Sequence, residues 1–138
     1  MIRKILLPFA AGIILSSCNS NNGPETDIET AGAFIKNIWK LDFNKAETML
    51  LKDETNNQVF SRFEQFFKAR PMAELDKYKN ADFIINDTKE PNDSVHIINY
   101  SSSFNKEEKT DLKLVRKNNR WLVDLKYTIP QTDTTQKQ

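Results

Sequence analysis

The stretch "DLKLVRKNNRWLVDL", residues 111–125, decides the fold class of this 138-residue chain. On each side of its centre, apolar and polar residues alternate, and this period of two is typical of half-buried antiparallel strands. The central pair, Asn118 and Asn119, tolerates positive φ angles, as a tight hairpin turn requires. The stretch therefore predicts a β-hairpin that is buried on one face.

Two upstream segments continue this alternation and extend the predicted sheet. They span residues 81–89 and 93–104, and residues 105–108 would form the turn into the strand that starts at residue 109. The last strand would run over residues 120–127. Four consecutive strands joined by short turns predict an antiparallel meander.

The residues before the sheet follow a helical period instead. In the first segment, apolar side chains recur at i, i+3, i+4, i+7 and i+8: Ala31, Phe34, Ile35, Ile38 and Trp39. A second, short helix would begin at Asn44, with Glu47 completing a capping box. A third helix would carry a similar stripe: Val59, Phe60, Phe63, Phe66 and Phe67.

Pro71 should end the third helix near Arg70, because a proline disfavours helical backbone in the residue before it. Residues 72–78 favour one or two further turns. The pattern as a whole, helices first and strands afterwards, predicts an α+β fold. In it, three N-terminal helices pack on one face of a curved, mainly antiparallel four-stranded sheet.

The first seventeen residues have the layout of a secretory signal peptide. Arg3 and Lys4 precede an apolar run of eleven residues, 5–15, and small polar residues follow it. A membrane-spanning helix needs about 20 apolar residues, so this run predicts a signal rather than a permanent span.

The signal ends in Leu15-Ser16-Ser17-Cys18, which resembles the lipobox of bacterial lipoproteins. The resemblance implies cleavage before Cys18, a diacylglycerol on its thiol and an acyl chain on the new amine. Two or more chains are needed for stable anchoring. The alternatives, a buried or a stray reactive thiol, fit poorly, because a signal-peptide boundary offers no core.

These observations divide the chain into four parts. We expect a signal peptide over residues 1–17, a lipidated cysteine and flexible tether over 18–27, one α+β domain over 28–129 and a disordered tail over 130–138. The expected location is the cell envelope, with the lipid in a bacterial membrane and the domain on the periplasmic side. The sequence leaves open which membrane and which leaflet hold the lipid.

Three stretches together resemble uncharacterised bacterial lipoproteins with the cystatin-like fold of nuclear transport factor 2. They are "AGAFIKNIWKLDFNKAETML" at residues 31–50, the Phe-rich third helix, and residues 111–125. The resemblance implies a cone of helices wrapped by a bent sheet, often open at one end to an apolar pocket. The same fold hosts isomerases, dehydratases, dimerising subunits and binding modules, so it does not choose among them.

Composition argues against several functions. The whole chain has 20 basic and 19 acidic residues, and removal of residues 1–17 leaves 18 basic residues against 19 acidic ones. Such a balance gives no electrostatic footprint for nucleic acid. Gly32 is the one glycine beyond the tether, so no glycine-rich phosphate loop is present. With one histidine, a metal site would depend on acid pairs such as Asp53-Glu54 and Glu107-Glu108. These we interpret as solubilising residues, and we expect neither a metal nor a non-covalent cofactor.

An enzyme of this fold would need a carboxylate base facing a tyrosine or a protonated acid in a dry pocket. The candidate groups are Asp82, Asp87, His96, Tyr100 and Asp124. Strand parity turns Asp82 and Asp124 away from the apolar face, and Asp87 lies near a strand end. His96 and Tyr100 share one face, but a lone histidine is more often structural. We therefore assign no catalytic residue.

A binding or interaction module is the remaining hypothesis, with two possible sites. The first is a pocket for a small apolar ligand inside the cone, with the candidate lining Trp39, Phe60, Phe63, Phe67, Tyr100 and Trp121. The second is an outer sheet face for a second copy or a protein partner, with Ile98, Tyr100, Phe104 and Leu122. Because aromatic residues more often fill a core, a completely packed interior is the preferred alternative to the pocket. An isomerase- or dehydratase-like enzyme remains the alternative function.

Overall fold

Four helices precede four strands in the computed structural model, which describes residues 24–127. The helices are α1 (Asp27–Trp39), α2 (Phe43–Glu47), α3 (Glu54–Lys68) and α4 (Met72–Lys79). The strands are β1 (Phe83–Asn92), β2 (Val95–Ser102), β3 (Thr110–Lys117) and β4 (Arg120–Asp124), and a 3₁₀ turn follows at Leu125–Tyr127. The predicted α+β class is confirmed. The predicted signal peptide, the anchor at Cys18 and the tail over 130–138 lie outside the described residues.

The sheet is the predicted antiparallel meander, in the order β1-β2-β3-β4. Asn118 and Asn119 form the turn of the last hairpin, with φ angles of 50° and 64°. The helices cover one face of the sheet, and α1 contacts all four strands. Fully buried side chains fill the space between α1 and the sheet: Phe34, Ile35, Ile38, Ile98, Leu112, Leu114 and Val123.

The prediction of three helices was wrong by one, because residues 72–79 form a regular helix of eight residues. Pro71 ends α3, but it also stands at the N-cap of α4 with φ −55°. A proline is well suited to the start of a helix, where its missing N–H has no partner to lose. Leu75 and Tyr78, three residues apart, then anchor α4 in the core.

The start of α2 and the end of β4 differ from the predictions, because side chains form hydrogen bonds with backbone groups at these positions. Helix α2 begins after Asp42, whose carboxylate accepts from the Lys45 N–H at 3.2 Å, so the capping box at Asn44 does not form. Strand β4 ends at Asp124, three residues early, because the N–H of Leu125 donates to the Asn56 side chain at 2.8 Å.

Helix α1 begins within the stretch that the sequence assigned to the tether. Thr26 is its N-cap, and its hydroxyl accepts from the Glu29 N–H at 3.1 Å. The Glu29 carboxylate accepts from the Thr26 N–H at 3.1 Å in return, which completes a capping box. Hydrogen bonds from the backbone N–H groups of Glu25 and Thr26 hold the pKa of Glu29 below its usual range. No helix within residues 24–127 has the length and apolar content to cross a membrane.

Leu41, two residues after the end of α1, has a left-handed backbone conformation, and its replacement tests the local strain. Leu41 has φ 62°, its N–H donates to Ile38, and the next N–H, of Asp42, donates to Asn37. This is the Schellman pattern, in which glycine is usual because a Cβ costs about 1–2 kcal/mol there. Leu41→Gly should therefore raise the free energy of unfolding by about 1 kcal/mol in urea titrations. Lys40→Gly, at φ −87°, is the control and should lower it. A loss of stability in Leu41→Gly would contradict the strain argument.

Candidate functional site

A cavity of about 620 Å³ lies between α1, α3 and the inner face of the sheet. Its volume is in the range of about 300–1,000 Å³ that is usual for ligand pockets. The interior is therefore not completely packed, contrary to the preferred alternative from the sequence. The lining residues come from every layer of the fold: Phe34, Ile35, Trp39, Val59, Arg62, Phe63, Phe66, Phe67, Arg70, Tyr78, Tyr100, Ser102, Glu108, Thr110, Leu112 and Leu125.

The aromatic stripe of α3 forms one wall of the cavity. Phe63 and Phe67 are stacked with their ring centroids 6.3 Å apart, and both line the space. Phe66, on the same helix, is 69% exposed although it belongs to the lining, so it marks the mouth. The cavity is thus apolar along its length and open to solvent beside Phe66.

Four of the six predicted lining residues lie in the cavity wall, namely Trp39, Phe63, Phe67 and Tyr100. Phe60 is instead part of the solid core, with its ring 6.2 Å from those of Phe34 and Phe43. Trp121 packs on His96, at 4.4 Å between ring centroids. His96 lies four residues from Tyr100 along β2, which is about 13 Å away at 3.3 Å per residue. The alternation of side chains along β2 places His96 and Tyr100 on one face of the sheet. It does not show how far along the strands the cavity extends.

One end of the cavity is polar, and Arg70, Tyr78 and Glu108 form it. Arg70 Nη1 donates to Glu74 Oε1 at 2.6 Å and to the Tyr78 hydroxyl at 3.1 Å. The Tyr78 hydroxyl donates to Glu108 Oε2 at 2.9 Å. Arg70 Nη2 lies 3.9 Å from Glu108 Oε1, beyond hydrogen-bond distance. Arg70 Nε is buried and has no hydrogen-bond partner among residues 24–127.

The pKa shifts of Tyr78, Tyr100 and Arg70 keep the two phenols neutral and the guanidinium charged. Burial, together with the hydrogen bond to Glu108, raises the pKa of Tyr78. Burial also raises the pKa of Tyr100 far above its usual range, so both phenols are neutral hydrogen-bonding groups. Burial alone would lower the pKa of Arg70, but the hydrogen bond that Arg70 donates to Glu74 and the nearby Tyr78 and Glu108 outweigh it and raise that pKa. Arg70 is therefore a fixed positive charge.

The guanidinium of Arg70 is held in place by aromatic rings. Its central carbon lies 5.7 Å from the Phe66 centroid, 5.3 Å from that of Phe67 and 5.1 Å from that of Tyr78. Contacts within about 6 Å of a ring attract a cation. The rings and Glu74 thus fix the orientation of the guanidinium before any ligand is present.

Of the five groups considered for catalysis, only Tyr100 reaches the cavity. Asp82 and Asp87 are exposed, and Asp124 is buried beside Asn56. Sequence reasoning missed the carboxylate that does line the cavity, Glu108, which it interpreted as a solubilising turn residue. It also treated Arg70 only as a helix end. No local pattern marks the pair, because Glu108 meets Arg70 only when the segment between β2 and β3 folds against α4.

His96 belongs to a second cluster, outside the cavity. Its Nδ1 lies 2.7 Å from Asp27 Oδ2, and these atoms and a Glu90 carboxylate oxygen are all within 4.8 Å of one another. This group was not predicted from the sequence, where only adjacent acid pairs were candidates for a metal site. Its three potential ligands are fewer than the four of a structural zinc site. The His96–Asp27 contact also joins the start of α1 to β2, which is a structural role.

The four residues predicted to form an apolar patch on the outer sheet face do not lie together on that face. Ile98 is completely buried and Tyr100 lines the cavity, so both face the helices. Leu122 pairs with Val115 on the opposite face of the sheet. Phe104 packs edge-on against Tyr78, at 5.2 Å between centroids. The grouping followed parity within each strand but matched the faces of β2 and β4 wrongly, so the sheet separates Leu122 from the other residues.

Comparison of the chain with protein-family models, with curated proteins and with solved structures gave no match.

Proposed function

We propose that this protein is a lipid-anchored lipoprotein of the bacterial cell envelope that binds a small apolar ligand and is not an enzyme. The observation that carries the proposal is the cavity of about 620 Å³, with an apolar wall and one polar end. Concave, mostly apolar sites with a few convergent polar groups are the usual form of small-molecule sites. The lipobox-like stretch at residues 15–18 supports the envelope location, and the helices on one face of a meander sheet are compatible with a cystatin-like fold.

The hydrogen bonding within the cavity favours binding over catalysis. Glu108 is the one carboxylate of the lining, and it already accepts from Tyr78 and lies beside Arg70. A general base must instead be within hydrogen-bond reach of the proton that it removes. Tyr100 is a neutral phenol and would act only as a donor or acceptor. These groups are suited to orienting a ligand.

The alternative function is an isomerase- or dehydratase-like enzyme that uses the same cavity. The specific observation in its favour is that Glu108 and Tyr100 both line an apolar space. Such an enzyme would return a chemically altered ligand, whereas a binding protein would return the ligand unchanged. Mass spectrometry of the ligand before and after incubation with the protein therefore distinguishes the two.

A cavity-filling variant tests the proposed site directly. Val59 lines the cavity, and Val59→Trp should occupy space that a ligand needs. A clash that costs about 1.4 kcal/mol or more weakens binding about tenfold or more. Native mass spectrometry of the full chain, released from mild detergent, should show a bound mass of a few hundred daltons on the wild type and much less on the variant.

Ser61→Trp is the matched control, because Ser61 is exposed on the same helix. It should bind like the wild type. A wild-type protein that is free of bound mass, and that also shows no uptake of added apolar compounds, would contradict the proposed function.

A further inference from the structure

Arg70 carries an edge with unused hydrogen-bond donors at the polar end of the cavity. Nη1 is saturated by Glu74 and Tyr78, but Nε has no partner among the described residues and Nη2 has only a carboxylate oxygen 3.9 Å away. A buried donor without a partner is costly and requires a physical explanation. Nε and Nη2 form one side of the planar guanidinium, and this side matches the two oxygens of a carboxylate.

We infer that the cavity takes an amphiphile with a single carboxylate end, of the fatty-acid class, and that this carboxylate pairs with the Nε/Nη2 edge of Arg70. The inference rests on the proposed function, since it specifies the ligand of that same cavity. The apolar body of the ligand would lie along Trp39, Phe63 and Phe67. Its carboxylate would lie beside Tyr78.

Glu108 occupies a position near the one that the ligand carboxylate would take. Its side chain is 50% exposed and lies on the segment that connects β2 to β3, so it can swing towards solvent. When it leaves, the Tyr78 hydroxyl and Arg70 Nη2 both lose their present anion. A ligand carboxylate restores that charge and also supplies the acceptor that Nε lacks. Exchange of one anion for another keeps the desolvation cost small.

The charges around the cavity favour an anion over a cation. The charged groups of its lining are Arg62, Arg70 and Glu108, and Glu74 contacts Arg70 from the other side. With Glu108 displaced, two arginines face the ligand and one of them is paired with Glu74. An ammonium group at this position would meet a positive charge within an apolar site.

The test uses Trp39 fluorescence of the full chain in one nonionic detergent. The chain has two tryptophans, and Trp121→Phe leaves only the one in the cavity wall. In this background, dodecanoic acid, its methyl ester and dodecylammonium are titrated against the parent, Arg70→Gln and the control Arg116→Gln. The acid-to-ester affinity ratio is compared between proteins, so that partition into micelles cancels.

We expect Arg70→Gln to reduce the acid-to-ester ratio about tenfold or more, because a bidentate charged pair is lost. Arg116→Gln should leave the ratio unchanged, because Arg116 is exposed and lies outside the cavity lining. An equal ratio in the parent and in Arg70→Gln overturns the inference while the cavity remains a binding site. If Arg70→Gln does not fold, the comparison is made between two ligands of the parent protein. The acid should bind about tenfold or more tightly than dodecylammonium. Equal affinities for the two ligands would overturn the inference. If no ligand binds and native mass spectrometry finds no bound mass, the proposed function itself fails.

Discussion

Asn56→Ala should lower the free energy of unfolding by about 3–5 kcal/mol, because it leaves the N–H of Leu125 without a partner and removes a donor from the buried carboxylate of Asp124. Asn56 is completely buried at the start of α3, although asparagine is usually exposed. Its Nδ2 donates to Asp53 Oδ2 at 3.0 Å and to Asp124 Oδ1 at 3.3 Å. Its Oδ1 accepts the N–H of Leu125 at 2.8 Å. One side chain thus joins the helix to the end of the sheet.

The charged members of this network make the loss of Asn56 larger than that of one neutral hydrogen bond. Asp124 is buried and lies 3.6 Å from Lys113 Nζ and 3.7 Å from Lys126 Nζ. Lys126 also donates to Asp53 at 2.6 Å, and this bond, with that from the Asn56 N–H, holds the pKa of Asp53 below its usual range. An alanine would leave the Leu125 N–H unpaired and remove a donor from a buried carboxylate. Each such group costs about 1–3 kcal/mol or more.

Asn57→Ala provides the matched control, since Asn57 is the next residue of the same helix and is exposed. It should change stability by no more than about 0.5 kcal/mol. Urea unfolding of the two variants, followed by far-UV circular dichroism, gives both values. Equal effects of the two substitutions would show that the network contributes little beyond helix propensity.

The parts of the fold that were predictable from the sequence depend on local chemistry. The hairpin over residues 111–125 follows from its alternation and from two asparagines that accept positive φ, and the structure confirms both. The first helix follows from its apolar stripe. Its start at Asp27 was missed although Thr26 and Glu29 have capping-box spacing, because the polar residues before them were interpreted as tether.

The cavity was only partly predictable, because the spacing of aromatic residues does not report the volume between them. Phe60 and Phe63 belong to the same stripe of α3, yet the first fills the core and the second lines the cavity. The polar end depends on contacts of Arg70 and Tyr78 with Glu108, which lies 30 residues after Tyr78 in the sequence. Such contacts arise from tertiary packing and leave no periodic signal.

The dependence on tertiary packing also explains why the apolar patch on the outer sheet face was wrongly predicted. Parity within one strand correctly separates the two sides, as His96, Ile98 and Tyr100 show. The relation between strands depends on register, which pairs Leu114 with Val123 and Val115 with Leu122. Leu122 therefore faces away from Ile98, and a patch shared by the two cannot form.

Cys18→Ala should abolish lipidation and cleavage, which is the largest effect expected on the processing of the protein. In the lipoprotein hypothesis the thiol of Cys18 is the acceptor of the diacylglycerol, and cleavage follows this step. Without the thiol, the chain should accumulate as an unprocessed and unlipidated precursor. Each buried CH₂ of a lipid chain contributes about 0.8 kcal/mol to membrane binding, so loss of two or three chains removes the stable anchor.

Ser17→Ala is the matched control, because it keeps a small residue before the cysteine and retains the thiol. Metabolic labelling with a radioactive fatty acid, followed by detergent phase partition and intact-mass analysis, reports lipidation and cleavage together. The control should be labelled, cleaved and found in the detergent phase, whereas Cys18→Ala should be unlabelled and heavier by the uncleaved segment. A Cys18→Ala chain that is still cleaved and lipid-labelled would contradict the anchor. The domain would then need another route to the envelope, and the ligand proposal would have to stand without it.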